Sequence, residues 1–238
     1  MRIFRWPLNI SLISLAVLPG LIALGFWQLG RAQYKEELSA RLETRADLPA
    51  ISNEWLSGDV KPLLLRRVAI AQGVHWAEKH LLLDNAVRQG RTGVEVVQLA
   101  EHKGKAFLVN RGWMPFTRGE ALPSVAFTRQ ANLSGRLRPW PQAKIQLADA
   151  PRLTGAVNLV NNLNKASIET WLGKSLADAV IYLDAANPNA LAPAQPPGGR
   201  MKPMQHYGYM AQWFALALAL VGLNAWAWWR HRTHKRNR

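Results

Sequence analysis

Leu8 to Leu29 reads LNISLISLAVLPGLIALGFWQL, and Tyr207 to Trp229 reads YGYMAQWFALALALVGLNAWAWW, with no Asp, Glu, Lys or Arg in either stretch. A helix rises ~1.5 Å per residue and needs roughly 20 apolar residues to cross a bilayer core, so both stretches are long enough to span. The chain between them, about Gly30 to His206, mixes charge with apolar residues and holds no comparable run. The pattern predicts a membrane α-helical hairpin, with helix one at 8–29 and helix two at 207–229, carrying an extramembrane domain.

Orientation follows from the flanks. Directly after Trp229 come Arg230, Arg232, Lys235, Arg236 and Arg238 with no acid among them, and a basic tail of this kind stays on the cytoplasmic side. Helix one is ambiguous alone, because Arg2 and Arg5 precede it while Arg31 and Lys35 follow. Two spans and a cytoplasmic tail (230–238) place both termini inside and the central domain in the periplasm of a bacterial inner membrane. The first stretch reads as a retained anchor rather than a cleaved signal peptide. It is long for a signal core and ends in Gly25, Phe26, Trp27, Gln28 and Leu29 without a small-x-small site.

The chain has no cysteine, which excludes disulfides and thiolate metal sites and disfavours copper delivery, since its methionines and histidines are scattered. A net charge of +15 fits an anionic membrane surface or an acidic partner. Nucleic acid is the other standard reading of a basic tail, but a tail abutting a span is already explained as a topology signal, so no nucleic-acid role is expected.

The middle, 30–184, reads as an α+β domain dominated by antiparallel strands, a curled sheet or open barrel. Leu63 to Val74, Lys79 to Val87, Val94 to Ala100, Lys105 to Asn110, Asn132 to Pro139 and Ala179 to Leu183 have strand composition bounded by turn residues. Gly90 to Gly93 reads as a turn, and His102, Lys103 and Gly104 as a compact hairpin connection. Tyr34 to Arg45 and Ser167 to Leu172 read as helices, the second with Ser167 as its cap. From 185 to 206 the chain is rich in Pro, Ala, Asn and Gly and reads as a tether with no regular element.

No catalytic constellation is visible, and the chain is not expected to be an enzyme. His75 and His80 are not at the i, i+4 spacing of a helical metal pair and read as surface residues in a turn. Ser124 and Ser134 lack the glycines of a nucleophile elbow, and no carboxylate pair stands out. The membrane boundary is richer. His206, Tyr209, Met210 and Trp213 fall at i, i+3, i+4 and i+7 on helix two, and Trp27, Arg31 and Tyr34 at i, i+4 and i+7 on helix one. An imidazole, a thioether, aromatic rings and a cation at one depth are what a porphyrin would need as ligand, walls and counter-charge. The same residues also make an ordinary interfacial belt of aromatic rings, with Arg31 and His206 meeting lipid headgroups. Helix pairing is expected along Ala211, Ala215 and Ala219, a small-residue stripe that would receive Ala16 and Gly20.

Three blocks carry a family resemblance: Gly25-Phe26-Trp27-Gln28-Leu29-Gly30-Arg31 with Lys35, then Leu108-Val109-Asn110-Arg111-Gly112-Trp113-Met114-Pro115, then His206-Tyr207-Gly208-Tyr209-Met210-Ala211-Gln212-Trp213-Phe214. In this order, at both membrane boundaries and the domain centre, they resemble the Surfeit locus protein 1 family. Gln205 and Tyr207 stand where that family usually has asparagine and leucine. The resemblance implies an assembly factor for haem–copper cytochrome c oxidase, working when haem A enters the catalytic subunit. It implies that subunit as partner, the haem A synthesis machinery as a further one, and His206 as haem-iron ligand. The other class of function is a membrane scaffold that binds the oxidase subunit and touches no cofactor. Within the second block, Gly112 frees the backbone to turn, Pro115 ends the ladder and Trp113 offers an anchor, a pattern that suits a structural corner as well as a partner contact.

Overall fold

The computed structural model describes residues 6–129, 132–141, 153–194, 199 and 201–236. It divides into two compact units, one of Met1–Ala40 with Gly198–Arg238 and one of Arg41–Pro197.

The first unit is built on two long helices, α1 (Trp6–Ala46), which runs on into the second unit, and α3 (Pro203–Arg236). Both contain segments long and apolar enough to cross a membrane, Ser14–Arg45 and Pro203–Thr233, consistent with a two-pass membrane protein. Tyr34 to Arg45 continues helix one as the sequence suggests, within the single helix α1. Helix α3 starts earlier than the apolar run alone suggests. Pro203 occupies its first turn, where a missing N–H costs nothing, and Gln205 Oε1 accepts from Lys202 N at 2.8 Å to close the helix start.

Contacts between the two helices run in opposite chain order, so they lie antiparallel: Asn224 Nδ2 donates to Ser14 Oγ at 2.5 Å, Phe26 meets Phe214 edge-on at 5.4 Å, and Tyr207 Oη donates to Glu36 at 2.8 Å. Less exposed positions recur at alternating steps of four and three, Ser14, Leu18, Leu21, Gly25, Gln28, Ala32 and Lys35 on α1, and Pro203, His206, Met210, Trp213, Ala217, Leu220, Asn224 and Ala227 on α3, with Leu29, Tyr207 and Phe214 partly shielded beside them. That alternation marks a seam of ridges packed into grooves. The expected stripe is not on it. Ala16, Gly20, Ala211, Ala215 and Ala219 are all exposed, and the close approach is made at Gly25, where a Cβ would sit 2.6 Å from the Phe214 ring.

The second unit is an open seven-stranded sheet in the order β1-β5-β7-β4-β3-β2-β6. Its strands are β1 (Arg67–Ile70), β2 (Val74–Arg88), β3 (Arg91–His102), β4 (Lys105–Pro115), β5 (Leu133–Pro139), β6 (Val157–Val160) and β7 (Leu176–Leu183). The hairpin run β2-β3-β4 is antiparallel, but β2–β6 and β4–β7 are parallel, so the sheet is mixed and does not close. A local pattern cannot distinguish the two: parallel pairing depends on a long crossover, here through α2 (Lys165–Leu172) between β6 and β7.

Chain punctuation explains the remaining differences. The Gly90 turn is the two-residue Gln89–Gly90 pair, both at positive φ, so Arg91 to Gly93 already belong to β3; Lys103–Gly104 turns the next hairpin in the same way. The expected strand at Leu63 to Val74 is split by a 3-10 turn at Lys61–Leu63 and by Gly73 at φ +76°. The cap of α2 is Asn164, whose side chain accepts from Ser167 N, not Ser167 itself. His75 and His80 lie in β2, and His80 is buried rather than a surface turn residue.

One face of the sheet packs Val68, Phe107, Val109, Leu137 and Ile181 under Ile51 and Trp55. The other packs Leu81, Leu99, Leu108 and Val180 under Ile168 of α2. The Pro-rich segment after β7 has no regular element, yet 185–194 is a packed strap rather than loose chain. Leu191 N donates to Arg111 O at 2.7 Å, Trp113 N to Ala192 O at 2.6 Å, and Arg88 Nη1 to Pro193 O at 2.7 Å.

Candidate functional site

Among the described residues, the apolar seam between α1 and α3 contains two polar side-chain pairs. One is Ser14 with Asn224, whose amide also returns to Leu220 O at 2.8 Å. The other is Gln28 with His206, 2.7 Å from Gln28 Oε1 to His206 Nδ1. Both side chains of this second pair are shielded, 9 % and 5 % exposed. With the amide oxygen facing it, the bond requires the tautomer that carries the proton on Nδ1 and the lone pair on Nε2. That Nε2 is buried and has no hydrogen-bond partner among the described residues. A structural histidine in an apolar seam would normally satisfy both nitrogens. One nitrogen bonded and the other left without a partner is how a metal-binding imidazole is held, but His80 in β2 shows the same arrangement, Nδ1 against Glu78 O at 2.8 Å and a buried Nε2 without a partner among the described residues.

The other residues expected at this boundary separate into two groups. Met210 and Trp213 share the seam with His206, and the Trp213 indole N–H is also buried without a partner among the described residues. Trp27 and Tyr209, 57 % and 47 % exposed, lie off the seam, as does Arg31, whose guanidinium stacks 5.4 Å from the Tyr34 ring centroid. The seven residues therefore do not form one face. Lys35 is a seam residue that composition did not single out; its ammonium donates to Met201 O. Gln28 belongs to the first of the three blocks, where its residue type alone points to no role. The 4,3 spacing of small and polar residues at Gly25, Gln28, Ala32 and Lys35 was its available signal.

In the sheet unit the block from Asn110 to Pro115 lies at the end of β4 and is used internally. Arg111, 4 % exposed, donates to Asn189 O at 2.7 Å, Gln98 Oε1 at 2.9 Å and Ala126 O at 2.6 Å. Burial among these neutral acceptors pushes its guanidinium down to about 10, still charged at neutral pH. Asn110 faces the other way, donating to Glu95 Oε2 at 2.7 Å and accepting from Gly112 N at 2.9 Å. Beside it burial chiefly, and the Glu95 carboxylate secondarily, push the Tyr182 phenol up, with Arg138 stacked 4.0 Å from the Tyr182 ring centroid. Gly112 has φ +115°, and a Cβ there would lie 2.2 Å from Ala192 O. Trp113 Nε1 donates to Ala86 O at 2.9 Å while its ring covers Gly93. Pro115 is the last residue of β4, paired with Gly93. The block is a corner that locks β4 to the strap. Asn187 and Asn189, the strap residues that hold it, carry no local sequence signal because their partners are more than 50 residues away.

No group of three or more metal-ligating His, Cys, Asp or Glu side chains occurs among the described residues. None of the curated proteins matches this chain. The model of the SURF1 family matches residues 15–218, from the seam of α1 through the sheet to the middle of α3. The chain belongs to the SURF1 family, known as a family of cytochrome c oxidase assembly factors.

Proposed function

We propose that this protein is a non-enzymatic membrane chaperone that holds haem A as cargo at the outer end of the α1–α3 pair and passes it to the catalytic subunit of cytochrome c oxidase. The observation that carries this reading is the His206 imidazole, with Nδ1 bonded to Gln28 and Nε2 open. His206 would supply the iron ligand, Met210 and Trp213 the adjoining seam surface, and Trp27, Tyr209 and Arg31 an outer wall and a counter-charge for propionates. In this arrangement the chain lies in a bacterial inner membrane with both termini cytoplasmic, the sheet unit periplasmic and 230–238 inside. The haem A synthesis machinery is the natural donor of the cargo.

A second reading has its own support. His206 Nε2 is covered, and Trp27, Arg31 and Tyr209 are exposed off the seam, as expected of a scaffold that binds the oxidase subunit and no cofactor. Absorption spectra of the full chain, purified in mild detergent from cells making haem A, separate the two. A Soret band that disappears or shifts in His206→Ala supports the chaperone. Absence of haem from intact wild-type protein, or an unchanged spectrum in His206→Ala, removes His206 from the role of ligand.

A further inference from the structure

Gln28 has no assigned part in haem handling, and its surroundings are unusual for a glutamine. It is on an apolar helix, at a seam position between Gly25 and Ala32, and its amide oxygen meets His206 Nδ1 at 2.7 Å. Small neighbours on its own helix leave the amide room to reach across the seam. At this shielded depth water is a poor substitute, so a polar side chain must find a protein partner. We propose that Gln28 is a positioning residue. Its carbonyl oxygen accepts the Nδ1 proton of His206, holds the ring in the tautomer whose lone pair is on Nε2, and fixes the plane in which that lone pair meets iron. This rests on the reading of His206 as haem ligand.

The alternative is that Gln28 only locks the register of the two helices, as Ser14 and Asn224 do in the other polar layer. The two roles differ in what a substitution changes. Loss of an outer partner of a metal-binding histidine typically lowers affinity by about ten- to a hundredfold, whereas a register lock acts on helix pairing and not on ligand electronics. A carboxylate at the same place would accept the Nδ1 proton more strongly, make the imidazole a better electron donor and favour ferric over ferrous iron.

The test uses the full chain in mild detergent. In the haem-free protein, nitrogen-15 histidine spectra, with His206 assigned by its absence in His206→Ala, should show Nδ1 protonated. Gln28→Leu should release that tautomer. In protein from haem A-producing cells, Gln28→Leu should lower haem occupancy by about ten- to a hundredfold. Gln28→Glu should restore occupancy and lower the midpoint potential relative to wild type. Asn224→Leu, which removes the other polar layer, should leave Soret position and potential unchanged. If His206→Ala loses haem while Gln28→Leu keeps wild-type occupancy, spectrum and potential, the positioning role is overturned and the ligand reading survives. If His206→Ala keeps its haem spectrum, the ligand reading itself fails. An Nε2-protonated His206 in the haem-free wild type overturns the positioning role without reference to haem.

Discussion

The motif residues of the sheet corner and those of the helix pair are buried in different ways, although the sheet unit too has a histidine, His80, with Nδ1 against Glu78 O at 2.8 Å and a buried Nε2 without a partner among the described residues. In the sheet unit Arg111 is surrounded by acceptors, two of them backbone carbonyls, and Asn110 is used as both donor and acceptor. In the helix pair a buried imidazole is held at one nitrogen and left open at the other. Both clusters fall inside blocks that carry the family resemblance, yet one is hydrogen-bonded throughout and the other leaves His206 Nε2 without a partner among the described residues. A shared motif is therefore not evidence of a shared kind of role. A fully satisfied buried network argues for stability, and an orphaned ligand atom argues for an absent partner.

The largest expected effect tests the proposed topology, in which the helix pair spans the membrane and the sheet unit is periplasmic. The basic residues after Trp229 and the two apolar helices lead to an all-or-none outcome. A reporter active only in the periplasm should be silent when fused after Arg238 and active when inserted near Gly199. Activity at the C-terminus would refute the two-pass arrangement with cytoplasmic ends.

Next in size are variants of the sheet corner. Arg111→Ala would leave Gln98 Oε1 and the carbonyls of Asn189 and Ala126 without their donor, on the order of 3–5 kcal/mol for a network of this kind. Gly112→Ala combines a positive φ with a clash against the Ala192 carbonyl, about 2–5 kcal/mol, and the strap would have to lift to relieve it. Both should make the sheet unit sensitive to limited proteolysis, with new cleavage in 185–194, while the protein still inserts into membranes. Stable, protease-resistant Gly112→Ala protein would show that the strap is not locked as described.

These two tests also divide what could be read in advance from what could not. Long uncharged runs identify spanning helices because composition alone decides their solvent. The β2-β3-β4 meander was legible because its turns are two residues long and signalled by Gly90 and Gly104. The parallel pairings of β6 with β2 and of β7 with β4 were not, although β7 itself has strand composition, since such pairing depends on a crossover rather than on neighbouring residues. The seam was hidden for a different reason. When nearly every residue of a helix is apolar, a hydrophobic stripe has no contrast, and only the sparse polar residues Gln28, Asn224 and Ser14 betray which side faces the partner. The strap differs from the expected tether because Pro and Asn disfavour a ladder but not packing. Asn187 and Asn189 are buried there by side-chain bonds to the chain near Asn132 and Thr128.

The smallest expected effects come from the outer residues of the helix pair, and they sharpen the contrast within that unit. Arg31 is exposed and stacked on Tyr34, so a propionate contact there would form at a wet interface, worth on the order of 1 kcal/mol. Arg31→Ala should therefore weaken haem retention by roughly fivefold, measured as the rate of loss to an apo-haemoprotein acceptor, with the Soret position unmoved. Met210 shares the seam with His206 and could supply sulfur, but Met210→Leu keeps volume and apolarity while removing that atom. If His206 is the ligand, Met210→Leu should leave spectrum and occupancy as they are. A Soret shift in Met210→Leu together with none in His206→Ala would transfer the ligand role one helical turn along α3 and leave His206 as a register residue paired with Gln28.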